Sequence, residues 1–279
     1  MTDAEAARSG LFETAADQES LERAAAAAAP TTVERADLAM VHTLDAALRE
    51  PMYGLLTSLA DNKYVLGRRY AEWCTGAPML ESAVAAAAMA QDELGHARSF
   101  YPLLRGFPNG RDATQMEEKG WQQRQTSAMR SLDARFGTWS DFVATNLVID
   151  TALTTLLSAA VEVPYEPLRQ RARKIQQEEA GHWTHAAGWL RRPSISRTDL
   201  AASLARVWDD AFTWFGQPDD PVVTRLNSAG LLSEDPAGLR KQLRARLEPL
   251  LDEAGLGEPL FGRQLPWGRW NPATRRLRA

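Results

Sequence analysis

One short pattern occurs twice in the chain and constrains it more than anything else. Residues 91–96 read Gln-Asp-Glu-Leu-Gly-His, and residues 177–182 read Gln-Glu-Glu-Ala-Gly-His. Each copy contains Glu-x-x-His, pairing Glu93 with His96 and Glu179 with His182. In a helix, residues i and i+3 leave the same face about one turn apart. A carboxylate and an imidazole so placed can bind one metal, and the second carboxylate oxygen is free to bridge to another. The chain has only 4 histidines in 279 residues, so half of them sit in this repeat. Each copy also keeps a glycine, Gly95 and Gly181, which costs about 1 kcal/mol against alanine inside a helix. Two such costs at equivalent positions predict that space is needed beside the motif.

The rest of the sequence supplies the helices. Alternating Val/Ile/Thr runs are scarce, and Ala, Leu, Arg, Glu and Gln dominate, so the chain is expected to be all-α. Long helices are expected over 33–50, 53–74, 79–105, 139–161 and 168–190, with two more near 199–215 and 236–254. Thr75-Gly76-Ala77-Pro78 breaks the second from the third, and Ser140 is the expected cap of the fourth. The run SAVAAAAMA at 82–90 suits close helix contact. Residues 1–35, with a poly-Ala run at 24–29, are expected to be a mobile or partner-packing arm. The helical domain is placed at 36–254, and 255–279 as an irregular Trp/Arg-rich tail pinned by Trp267 and Trp270.

Composition removes several classes. A single cysteine makes no internal disulfide and no thiolate zinc site. A net charge of −4 without a basic run argues against nucleic acid as partner. No stretch of about 18 apolar residues is present to span a membrane. The first ten residues, MTDAEAARSG, carry no apolar segment of a secretory signal, so a cytoplasmic location is expected.

Two Glu-x-x-His helices facing each other need one more carboxylate from each of the two other helices of a bundle. That is the carboxylate-bridged di-metal arrangement of ferritin-like four-helix bundles. Its oxygen and nitrogen donors suit two iron ions, or manganese. In an antiparallel hairpin the level-matched residue lies about 30 positions upstream. Before Glu179 this lands on Asp150, an acid in the otherwise apolar NLVIDTALTTLL, where burial without a partner would be costly. Before Glu93 it lands on Lys63, with Asp61 two residues further upstream. Either Asp61 is the ligand in a shifted register, or Lys63 stands where a carboxylate is usual and places an ammonium against Glu93. The ridge of Leu59, Leu66 and Tyr70 points Lys63 inward and Asp61 more sideways. His185, Arg68-Arg69 and Arg191-Arg192 are weaker features. The two arginine pairs are expected to be solvated helix ends, or to meet a substrate phosphate.

Several segments then resemble the phenylacetyl-CoA monooxygenase (phenylacetic acid catabolic) family. They are Leu59-Ala60-Asp61-Asn62, Leu66-Gly67-Arg68-Arg69, Ala71-Glu72-Trp73-Cys74 with Gly76-Ala77-Pro78, 89–98 (MAQDELGHAR), Ile149-Asp150, and Glu178 to His182 with Gly188-Trp189-Leu190. The resemblance covers roughly residues 50–215. It implies a ferritin-like bundle with extra N- and C-terminal helices, and it makes Glu93, His96, Asp150, Glu179 and His182 iron ligands. It also implies O₂ activation, electrons from a separate reductase, and a CoA-thioester or aromatic small-molecule substrate. A homodimer, or a hetero-oligomer with a homologous subunit, goes with it. The family has catalytic subunits and scaffold subunits that have lost ligands, and the hairpin and tail pattern resembles the scaffold branch. Lys63 is the departure from a full di-iron set. The leading expectation is an oxygen-activating di-metal monooxygenase in which Glu93, Glu179 and Lys63 act at the reaction centre. A non-catalytic scaffold subunit and a ferritin-like metal oxidase are the alternatives.

Overall fold

The computed structural model describes residues 40–107 and 127–278, and the expected N-terminal arm at 1–35 lies outside them. Helix α1 (Ala46–Ala71) begins where Asp45 accepts a hydrogen bond from the Ala47 amide at 2.8 Å. The two helices expected over 33–50 and 53–74 are therefore one from Ala46 onward. Pro51 lies inside it, where it removes one backbone hydrogen bond without ending the helix. Helix α2 (Leu80–Arg105) returns antiparallel and carries the first motif. The two pack closely at Gly67: a Cβ there would lie 2.9 Å from Leu94 Cγ, 3.0 Å from Glu93 Cβ and 3.1 Å from the Ala90 carbonyl. Gly67→Ala therefore sets helix propensity against packing, and packing wins. We expect it to destabilise by ~1–3 kcal/mol, the usual cost of overpacking. Urea denaturation checks this, and a variant at or above wild-type stability would refute it.

The second hairpin is less regular. Helix α3 (Trp139–Thr145) is capped by Thr138, not Ser140; Thr138 Oγ1 accepts from the Asp141 amide, and Asp141 Oδ2 accepts from the Thr138 amide. A π-turn over Asn146–Asp150 follows, then α4 (Thr151–Ser158). The return helix is split at Glu179 into α5 (Glu166–Glu178) and α6 (Ala180–Leu190). Together these elements make an all-α, ferritin-like four-helix bundle.

Helices α7 (Arg197–Trp214) and α9 (Pro236–Glu253) stand close to the expected ranges. Helix α8 (Pro221–Ser228) is not among the expected helices, although Asp220-Pro221 is a start signal: Asp220 Oδ1 accepts from the amides of Val222 and Val223. After a short α10 (Glu258–Phe261), the tail forms a small antiparallel pair of β1 (Trp270–Asn271) and β2 (Arg276–Leu277). Arg275 anchors the tail. It is buried at φ +50°, donates to both Asp220 carboxylate oxygens at 3.0 and 3.3 Å, and donates to the Trp214 carbonyl at 3.0 Å. Trp270 is buried, whereas Trp267 is half-buried beneath Arg240.

The Arg68-Arg69 pair is not simply a solvated helix end. Arg69 is 1% exposed and donates to the carbonyls of Leu132 and Asp133, at 2.8 and 2.7 Å. It ties α1 to the chain entering α3. Among the described residues no helix is long and apolar enough to cross a membrane.

Candidate metal centre

Four helical segments bring charged side chains to one point in the bundle interior. Glu93 comes from α2, Asp150 from the π-turn and Glu179 from the break between α5 and α6. Lys63 comes from α1, and all four side chains are buried. The Lys63 ammonium donates to Glu93 Oε1 at 2.9 Å, to Asp150 Oδ1 at 3.0 Å and to Glu179 Oε1. His182 closes the cluster, its Nδ1 lying 2.8 Å from Asp150 Oδ2, 3.2 Å from Glu179 Oε2 and 3.4 Å from Glu93 Oε1. Tyr70 Oη and Asn146 Nδ2 donate to Asp150 Oδ2 at 3.3 and 3.4 Å.

Local irregularity places two of these acids. A π-turn inserts an extra residue into the helical repeat, and such turns recur at functional sites. This one ends at Asp150. The second acid, Glu179, stands between two helices rather than within one.

Of the two level-matched candidates on α1, Lys63 is the one that enters the cluster. Asp61 is also buried but turns aside, and its Oδ2 accepts from the Ser127 amide at 2.7 Å. Two positions earlier on a helix is some 200° around its axis, so the two residues face different neighbours. Asp61 therefore does not join the donor set. His96 lies at its edge: Nε2 meets Glu178 Oε2 at 2.8 Å, and Nδ1 is 3.4 Å from Glu179 Oε1 without hydrogen-bond geometry. Gly95 and Gly181 are exposed with open space at their Cβ positions, so the room they leave faces outward, not into the site.

Sequence reasoning missed the role of the second residue of each motif. His96 of the first copy meets Glu178 of the second, and His182 Nε2 of the second lies 3.3 Å from Asp92 of the first. The two copies are cross-linked, each outer imidazole nitrogen facing the other copy's acid. A carboxylate at that position orients the ring and fixes its proton. The signal lay in the pattern itself, whose second position is acidic in both copies.

The charged groups of the cluster shift one another. Burial and then the neighbouring Asp150 push Glu93 well above the usual carboxylate range, although Lys63 opposes them. Burial acts the same way on Glu179, but Lys63 and then the His182 imidazole outweigh it and hold Glu179 well below that range. Burial favours neutral Lys63 and neutral His182. The surrounding carboxylates, Asp150 foremost, overcome it and keep both cationic. Lys63 and His182 thus stay cationic beside an ionised Glu179, while Glu93 is driven toward its protonated form.

His185 behaves oppositely. Burial, then the positive charges of His182 and Arg192, lower it to about 4. Its ring packs edge-on against Trp139 and Phe142, and Nδ1 lies 3.2 Å from Asn146 Oδ1. The unfolded chain takes up this proton near pH 6.5, whereas the folded chain does so only near pH 4. This stabilisation is complete above pH 6.5 and is lost as pH falls to about 4. His185→Phe should flatten that part of the stability profile. Thermal melts from pH 7 to 4 check it, and an unchanged slope would count against the assignment.

Could the residues hold a metal? Glu93, Asp150, Glu179 and His182 each offer one ligand atom, all within 4.8 Å of one another, so the set could hold an ion. Lys63, however, already occupies the shared focus of the three carboxylates. As the side chains stand, the cluster fits one central cation, and the ammonium is that cation.

An all-α ferritin-like bundle whose core joins carboxylates and imidazoles from a duplicated helical motif has the arrangement in which carboxylate-bridged metal sites are built. More narrowly, residues 15–275 match the family model described as phenylacetic acid catabolic protein, and the chain belongs to that family. It is also 27% identical over 205 residues to one of the subunits of the 1,2-phenylacetyl-CoA epoxidase of Escherichia coli (strain K12). That match covers 72% of this chain and 81% of the relative. The similarity is thus to a subunit of an oxidoreductase.

Proposed function

We propose that the chain is a structural subunit of a multicomponent, cytoplasmic oxygenase of the phenylacetyl-CoA epoxidase kind. It would assemble with a homologous subunit that activates O₂ with electrons from a reductase, and the complex would act on a CoA thioester or aromatic substrate. The observation that carries this reading is the Lys63 ammonium among Glu93, Asp150 and Glu179. A fixed monovalent cation there supplies charge balance and rigidity but no redox chemistry. The residues of this chain would then hold the bundle in shape, with His182 and His96 locking the two hairpins together.

A second reading is favoured by the surviving donor set. If Lys63 left the centre, Glu93, His96, Asp150, Glu179 and His182 would stand as ligands for iron or manganese. The chain would then itself be an O₂-activating monooxygenase, with Glu93 and Glu179 at the reacting metals. One experiment separates the two. The isolated chain is reconstituted anaerobically with Fe²⁺, analysed for metal, and assayed for O₂ consumption with a reductant. The structural reading expects little bound iron and no O₂ uptake, with activity arising only in a complex with a homologous subunit. Two irons per chain and O₂ uptake by the isolated chain would overturn it.

A further inference from the structure

We propose that Lys63 is a resident counter-cation that keeps shut a latent site for one divalent metal ion, formed by Glu93, Asp150, Glu179 and His182. The inference deepens the structural-subunit reading and rests on it, but it concerns occupancy rather than activity.

Four observations support it. The donors converge from separate segments to within 4.8 Å of one another, all of them buried. Lys63 Nζ lies at hydrogen-bond distance from three of the four residues, so it stands where an ion bound by them would stand. His182 turns Nδ1, not Nε2, toward the three carboxylates, while Nε2 faces Asp92. That is the posture of a metal-ligating imidazole with an acid behind it. Finally, Glu93 Oε2 and His96 Nδ1 are buried atoms of the motif pair with no hydrogen-bond partner. A single ammonium has three protons, and all three are used on Glu93 Oε1, Asp150 and Glu179. The donor set therefore exceeds what a lysine can satisfy.

Without the ammonium, Glu93, Asp150, Glu179 and His182 keep no central cation. A divalent ion taken up there would displace to solvent the protons held by His182 Nδ1 and Glu93, and would gain oxygen and nitrogen ligands suited to manganese or iron. A truncated side chain also frees the volume of the lysine stem.

The test compares wild type, Lys63→Ala and Lys63→Gln, each stripped with chelator and dialysed against Mn²⁺. Metal content, calorimetric binding and thermal melts with and without Mn²⁺ are the readouts. The expected result is no Mn²⁺ in the wild type and one per chain in Lys63→Ala. That variant should melt higher with Mn²⁺ than with chelator, and adding Asp150→Asn should abolish the difference. Refolding of either variant only in the presence of Mn²⁺ would support the proposal equally. Stoichiometric Mn²⁺ in the wild type would overturn it. So would folded Lys63 variants that take up none, or variants that fail to fold with or without the ion. Failure here leaves O₂ uptake by the isolated chain as the separate arbiter of the structural-subunit reading.

Discussion

Lys63→Met, in chelator at neutral pH, should lose ~3–5 kcal/mol of stability, the usual cost of leaving a buried charge without its partner. Methionine nearly matches the length and volume of the lysine stem, so packing is preserved and the loss reports the ammonium. The cost is large because the ammonium is shared. Glu93, Asp150 and Glu179 all lose their common cation, and His182 is the nearest positive charge remaining. The variant also carries a pH signature. Unpaired buried carboxylates bind protons more readily in the fold than in the unfolded chain, so it should regain stability as pH falls from 7 to 5. Urea denaturation at both values checks the loss and its sign. A variant as stable as wild type, or one that weakens further on acidification, would contradict the electrostatic account.

Arg275→Met should produce the second large loss, about 3 kcal/mol, near the lower end for breaking a buried pair. Asp220 would keep its two amide donors at the start of α8, which moderates the penalty. Arg275 has a further role, because it also holds the Trp214 carbonyl at the end of α7. One guanidinium therefore joins α7, the start of α8 and the hairpin of β1 and β2. We expect the tail to become the first site of tryptic cleavage in the variant, with cuts within 263–278 preceding those in the bundle. Simultaneous unfolding of tail and bundle, or an unchanged melt, would argue against this division.

Much of this architecture is legible in the residues alone. Helical periodicity and Gly/Pro punctuation place α2, α7 and α9 to within a few residues, because those segments are regular and end at ordinary signals. The repeat places Glu93, Glu179 and His182, and hairpin arithmetic finds Asp150 and Lys63. The arithmetic leaves Lys63 and Asp61 as alternatives, since a two-residue shift is within the slack of a hairpin of unknown loop length. What propensity cannot supply is local irregularity. The π-turn at Asp150 and the break at Glu179 fall in stretches without proline, and Gly181 alone, two residues past the second, hints at either. Long-range polar ties escape for a similar reason. Arg69 reads as a solvated helix end until the chain at 132–133 is found beside it, and Arg275 reads as one more tail arginine until Asp220 lies opposite.

The crossed pairing of the two motifs has a consequence for how such a sequence can change over time. Asp92 serves the imidazole of the second copy, and Glu178 that of the first, although 90 and 82 positions separate the respective partners. Neither copy can drift alone: an acid lost at 92 is felt at His182, and one lost at 178 is felt at His96. Across related chains these positions should therefore vary as two linked pairs rather than as two motifs, with Asp92 tracking His182 and Glu178 tracking His96. A duplicated pattern that looks like two independent sites would then be inherited as a single unit.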